Sequence, residues 1–204
     1  MKIFLTILTG FLWFGQTAAL ALEARGGPPP PPPTRTTVSP TPTPTPSPIA
    51  TCNDPNAAFA LLRAFNSAVG DHFYTTSFGE EIQAINHGGG YKSEGTAAFV
   101  FVTQLPATVP FFRLFNPTTV DHFYTTDFNE RNNAIANLGY VSQGTAAFVY
   151  TSAACPGTIP LFRLFSSATG DHFYTTSTTE RDTAIAKSGY VSEGTAVFVL
   201  PVPT

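Results

Sequence analysis

The word Asp-His-Phe-Tyr-Thr-Thr occurs at residues 71–76, 121–126 and 171–176 of the 204-residue chain. It contains three of the four histidines. Asp beside His is the raw material of an orienter–base pair, which still needs a nucleophile. Adjacent residues of a strand point to opposite faces, so Asp and His of one copy cannot pair with each other. No Gly-x-Ser-x-Gly, Cys–His pair or phosphate-cradling glycine loop accompanies the word. A single active site would break the repeat, so a non-catalytic role is the expectation. Three imidazoles from His72, His122 and His172 would suit zinc. No His-x-x-x-His or Cys-x-x-Cys spacing supports that, so neither a metal nor another cofactor is expected. Each His is read instead as donating to a local carbonyl at its hairpin.

The other recurring polar residues admit two readings. Arg63, Arg113 and Arg163 each precede the Asp of the word by eight residues. That places them across a presumed hairpin, within reach of a structural Arg–Asp ion pair. In the second reading each unit carries a shallow ligand pocket. Its residues would be Asp71, His72, Tyr74 and Glu94, then Asp121, His122, Tyr124 and Gln143, then Asp171, His172, Tyr174 and Glu193. Aromatic rings stack on sugar faces, and carboxylates and imidazoles bond to hydroxyls. Three weak sites would gain strength by multivalency.

These residues sit in an internal repeat. An ungapped comparison of 108–150 with 158–200 matches 27 of 43 positions. Pro160–Phe165 reads as a strand and His172–Thr176 as a second one. Ser177-Thr-Thr-Glu180 reads as a reciprocal capping box opening a short helix to about Lys187, stopped by Gly189. Tyr190-Val191 then starts a third strand, Glu193-Gly194 makes a turn, and Thr195–Leu200 forms a fourth. The expected fold is therefore mainly β: three ββαββ units, about 52–107, 108–157 and 158–204, closed with pseudo-threefold symmetry. A β-trefoil-like arrangement fits four strands per unit, with a small three-bladed propeller or prism as the alternative. Closure would remove exposed strand edges. The sixteen Phe of 52–204 supply the core.

The flanking sequence suggests an exported protein. Met1–Lys2 and the apolar run Ile3–Phe14 precede Ala19-Leu20-Ala21, so residues 1–21 read as a signal peptide cleaved after Ala21. No membrane span is expected after that cleavage. Residues 22–51 contain eleven prolines between Pro28 and Pro48 and read as an extended, O-glycosylated Pro/Thr stalk. Residues 52–204 form one domain, expected to be a monomer. Its two cysteines, Cys52 and Cys155, pair by default in an oxidising route. Charged residues make up 11 % of the chain, against about 25 % in average globular proteins. The net charge of −3 excludes the basic footprint of a nucleic-acid binder and favours uncharged ligands.

The frame Pro-Leu-Phe-Arg-Leu-Phe, Gly-Asp-His-Phe-Tyr-Thr-Thr, Glu-Arg, Gly-Tyr-Val-Ser-Glu-Gly-Thr-Ala resembles a repeat domain of unknown function. That family occurs in secreted bacterial and fungal proteins, often fused to extracellular hydrolases. The resemblance covers about 58–200 and implies an extracellular accessory module that binds carbohydrate. The chain departs from the family pattern at Phe65, Phe115 and Phe165, which stand for Tyr, and at Val120 and Gln143, which stand for Gly and Glu. Gln143 makes the second unit the weak site if the Glu turn binds ligand. The expected function is a secreted, lectin-like module with a glycan or polysaccharide partner. A protein-binding inhibitor or effector is the alternative, and an extracellular hydrolase the second alternative.

Overall fold

The structure, a computed structural model, describes residues 52–87 and 89–203. The expected signal peptide and stalk lie outside the described residues. The described chain is mainly β. A short 3-10 turn at Pro55–Ala57 is followed by β1 (Phe59–Asn66), β2 (Asp71–Thr75), α1 (Phe78–Asn86) and β3 (Lys92–Val100). The second unit supplies β4 (Thr108–Asn116), β5 (Asp121–Thr125), α2 (Phe128–Asn137) and β6 (Val141–Tyr150). The third supplies β7 (Ile159–Ser166), β8 (Asp171–Thr175), α3 (Thr178–Ser188) and β9 (Val191–Val199). One sheet runs β2-β1-β3 and the other β5-β4-β6-β9-β7-β8.

Each unit has three strands, not four. The expected Glu-Gly turn is a bulge inside one long strand. Leu161 faces Val197, Phe162 faces Thr195, Arg163 faces Gly194 and Leu164 faces Ser192, so the register slips on both sides of Arg163. Gly194 sits at φ +91, a conformation that glycine enters without a Cβ penalty, and this bends the strand instead of reversing it. The tight turn lies instead between the first two strands, where the Gly70 amide donates to the Asn66 carbonyl at 2.8 Å. Gly70 and Gly170 take φ +77 and +80 there. Val120, their counterpart, takes φ +55, a region costing an L-residue roughly 1–2 kcal/mol.

The helices start as their caps require. The Ser77 and Ser177 hydroxyls accept from the Glu80 and Glu180 amides, and Asp127 accepts from Asn129 and Glu130. The capping box is only half made, because the Glu carboxylates face neighbouring units. Gly189 ends α3 in the left-handed conformation.

The middle strands β2, β5 and β8 are sheet edges whose outer amides need partners. Side chains from the other units provide them. The Tyr124 hydroxyl accepts from the Tyr74 amide and donates to the Tyr74 carbonyl, both at 2.8 Å. Tyr174 serves Tyr124 in the same way, and Tyr74 serves Tyr174. The three rings meet edge-on at 5.5 Å between centroids. They lie at the middle of a core formed with Leu61, Phe111, Leu161, Val100, Val149 and Val199. Tyr124→Phe keeps the ring but orphans two buried backbone groups of Tyr74. Unmade buried hydrogen bonds cost about 1–3 kcal/mol each, so a loss of at least about 2 kcal/mol is expected by urea unfolding. A change below about 0.5 kcal/mol, the scale of ordinary surface substitutions, would show that the edge does not depend on the hydroxyl.

Strand ends complete the joins. Phe99 and Leu200 exchange backbone hydrogen bonds at 2.9 and 3.0 Å, and Phe101 and Phe148 at 3.1 and 2.7 Å. Beside them Cys155 is bonded to Cys52, with Cα atoms 5.4 Å apart.

Candidate functional site

The Asp and His of the word do pair, but between units. The register sets Asp71 opposite Asn66 and Arg63 opposite Tyr74, so the expected Arg–Asp bridge across the hairpin does not form. Asp171 accepts from the His72 amide at 2.8 Å and from His72 Nδ1 at 2.6 Å. Asp71 holds His122 and Asp121 holds His172, each with 2.8 and 2.7 Å contacts. The expected local carbonyl is therefore replaced by a carboxylate of the neighbouring unit. Tyr190, Tyr140 and Tyr91 donate to Asp171, Asp121 and Asp71. Burial and the adjacent carboxylate push the pKa of each of these hydroxyls up, so they remain donors. One carboxylate oxygen from each of the three Asp lies within 4.8 Å of the others, and each carboxylate is met by three donors.

This pairing orients the imidazoles. With Nδ1 committed to Asp, the other nitrogen faces outward. His72 Nε2 lies 3.9 Å from Glu94 and His172 Nε2 3.8 Å from Glu193. Each ring sits between two phenylalanines: His72 between Phe65 and Phe173 at 4.3 and 4.6 Å, and His172 between Phe165 and Phe123 at 4.7 Å from both. No hydroxyl or thiol is bonded to Nε2 among the described residues, so the Asp–His pairs are not joined to a nucleophile.

The arginines bind the helix-start glutamates across the same junctions. Arg63 forks onto Glu180 at 3.0 and 2.8 Å, Arg113 onto Glu80 at 2.9 and 2.6 Å, and Arg163 onto Glu130 at 3.0 and 2.8 Å. Such bidentate pairs combine charge with fixed geometry. For Glu80 the Arg113 bond, and for Glu130 and Glu180 the Arg bonds overcoming burial, hold the pKa below the ordinary range. A lowered folded pKa favours the ionised state, so the bridges stabilise fully above the ordinary Glu pKa. That contribution is lost as pH falls through the lowered value. Arg63 and Arg163 also lie 2.8 and 2.7 Å from Glu94 and Glu193. Gln143 replaces that second carboxylate beside Arg113, and the buried Nε atoms of Arg63, Arg113 and Arg163 alike make no hydrogen bond among the described residues.

Two cavities open at equivalent junctions. One of about 380 Å³ lies between the third and first units, lined by Phe173, Tyr190, Ala184 and Glu180 on one side and Phe65 and His72 on the other. The second, about 210 Å³, lies between the second and third units, lined by Phe123, Tyr140, Ala134 and Glu130 against His172 and Glu193.

The structure thus divides the residues singled out in the sequence. Asp71, Asp121, Asp171, Tyr74, Tyr124 and Tyr174 are at most 1 % exposed and organise the interior. His72, His122 and His172 stand between that interior and the junctions. Glu193 lines the smaller cavity, Glu94 lies beside Arg63 and His72, and Arg63, Arg113 and Arg163 bridge the units. Sequence reasoning missed the partners across each junction: Glu80, Glu130 and Glu180, read as caps, and the ring pairs Phe73–Tyr91, Phe123–Tyr140 and Phe173–Tyr190. Their recurrence in all three units was the available signal.

No curated protein and no solved structure matches the chain. A family model described as a domain of unknown function (DUF5648) matches residues 60–200. That span takes in the strands of all three units, save Phe59 at the start of β1, and every junction residue named above. By that match the chain belongs to the DUF5648 family of domains of unknown function.

Proposed function

We propose that the chain is a secreted, non-catalytic carbohydrate-binding module of lectin type. In this reading it acts as a monomer on a Pro/Thr stalk, and its three units close about a pseudo-threefold axis. Support for closure comes from bonds that run from unit to unit and from the last back to the first. The observation that carries the binding reading is the pair of cavities built alike at two junctions. Each offers aromatic faces for a pyranose ring. Each also offers carboxylate oxygens and an oriented imidazole for its hydroxyls. The low charge of the chain suits a neutral ligand. The junction with Gln143 has lost one acceptor and is the weakest of the three sites.

A glycan array and a polysaccharide pull-down test the reading. Folded chain is expected to bind at least one neutral glycan, with Glu94→Gln and Glu193→Gln each weakening it several-fold. Folded protein that binds nothing in either assay would exclude carbohydrate recognition.

A further inference from the structure

The two cavities differ in volume, and the larger is lined by Ser166, which stands where the second unit has Asn116. Asn116 ends β4, and its side-chain amide donates to the Leu138 carbonyl at the exit of α2, at 2.9 Å. Its carbonyl oxygen accepts from the Thr118 and Thr119 amides at 2.9 and 3.3 Å. Asn66 does the same work in the first unit, bonding the Gly89 carbonyl and the Ala68 amide. In both units a carboxamide fills the space between hairpin turn and helix exit.

The third unit has Ser166 at this place, and Ser188 where the second has Leu138. Ser166 is too short to span the gap. Ser166 is 1 % exposed and lines the larger cavity. The cavity also reaches Thr169 in the turn and Ser188 at the helix exit. What the sequence has removed here is a carboxamide. What remains is the surround that a carboxamide satisfies elsewhere: turn amides as donors and a helix-exit carbonyl as acceptor.

We propose that the junction between the third and first units is the principal binding site, and that it selects a neutral hexose bearing an acetamido group. This rests on the carbohydrate reading above. The acetamido carbonyl takes the place of the Asn116 side-chain oxygen, accepting from the turn amides near Thr169 and from the Ser166 hydroxyl. The acetamido N–H takes the place of the Asn116 NH2 and donates to the Ser188 carbonyl. Its methyl group lies against Ala184, and the sugar ring against Phe173 and Tyr190. An anionic sugar would face Glu180 and is disfavoured.

The test is calorimetric titration of the full secreted chain. The probes are the methyl glycosides of N-acetylglucosamine, N-acetylgalactosamine, glucose and galactose. At least one N-acetylated glycoside is expected to bind tenfold or more tightly than its unmodified parent. Ser166→Asn restores the carboxamide and is expected to abolish that preference. Asn116→Ser opens the equivalent place in the second unit and is expected to raise the stoichiometry. Independently of any variant, titration of the wild-type chain should shift the NMR amide signals of Thr169 and Gly189. N-acetylated and parent sugars binding equally, a preference that survives in folded Ser166→Asn, or unmoved Thr169 and Gly189 signals would overturn this proposal while leaving carbohydrate binding intact. No binding of any glycoside, together with a blank glycan array, would overturn both.

Discussion

Asp171→Asn is expected to destabilise the protein by about 3–5 kcal/mol, because a buried acceptor met by three donors is exchanged for one that can meet fewer, and each buried group left unsatisfied costs about 1–3 kcal/mol. The Asp171 carboxylate is 1 % exposed and accepts from the His72 amide, His72 Nδ1 and Tyr190. An asparagine side chain presents one acceptor and one NH2, so at least one of these donors meets another donor. The unsatisfied groups lie between two units, and the His72 ring loses the bond that orients it between Phe65 and Phe173. Asp71→Asn and Asp121→Asn should cost similar amounts because their partners are the same in kind. Asp182→Asn is the control. Asp182 is exposed and, among the described residues, pairs only with its neighbour Arg181, and such surface changes stay within about 0.5 kcal/mol. Urea unfolding monitored by tyrosine fluorescence gives the comparison. A loss below about 1 kcal/mol for all three buried variants would mean that the Asp–His pairs do not hold the units together.

Loss of the Cys52–Cys155 bond is expected to have an effect of the same order. The bond closes a separation of 103 residues, and loop-closure entropy for such a length is worth about 4.7 kcal/mol. It anchors the start of the first unit to the segment joining the second and third. Cys155 is 3 % exposed and packs with Phe101 and Tyr150. A second tether survives reduction, because the Asn53 amide groups bond the Tyr150 hydroxyl at 3.3 and 3.1 Å. The Cys52→Ser, Cys155→Ser double variant should therefore lose about 3–5 kcal/mol while retaining its fold. Thermal unfolding of the wild-type chain should likewise become sensitive to reductant. Identical unfolding with and without reductant would assign the tethering to Asn53 and Tyr150.

How much of this was legible in the residues can be judged from particular cases. Phe-rich and β-branched runs marked the first two strands of the third unit to within a residue, at Ile159–Ser166 and Asp171–Thr175, because strand propensity and packing demand agree there. Gly189 marked a helix end because left-handed backbone is easiest for glycine. Glu193-Gly194 misled for a related reason. A positive-φ glycine serves a bulge as readily as a turn, and only the partner strand decides between them. The capping glutamates also looked local, yet Glu180 answers Arg63 from another unit. Neighbouring Asp and His were correctly barred from pairing within one copy. Their pairing across copies depends on how units are placed, which no spacing within a unit encodes. Val120 shows the opposite limit, since it stands in the hairpin turn at φ +55 against its own preference.

The tyrosine cycle has a consequence for how the chain reaches its fold. Each hairpin edge is completed by a hydroxyl from another unit, so no unit and no pair of units can close all its backbone bonds. A nascent chain with two units emerged would still show an unfilled edge at Tyr124, and the third unit's arrival fills that edge while its own is filled by Tyr74. Folding should then be all-or-none across the 150-odd residues of the domain, with cooperativity set by three phenolic oxygens as much as by the size of the core. A truncated product would retain a sticky edge, which makes it a substrate for quality control and not a smaller working protein.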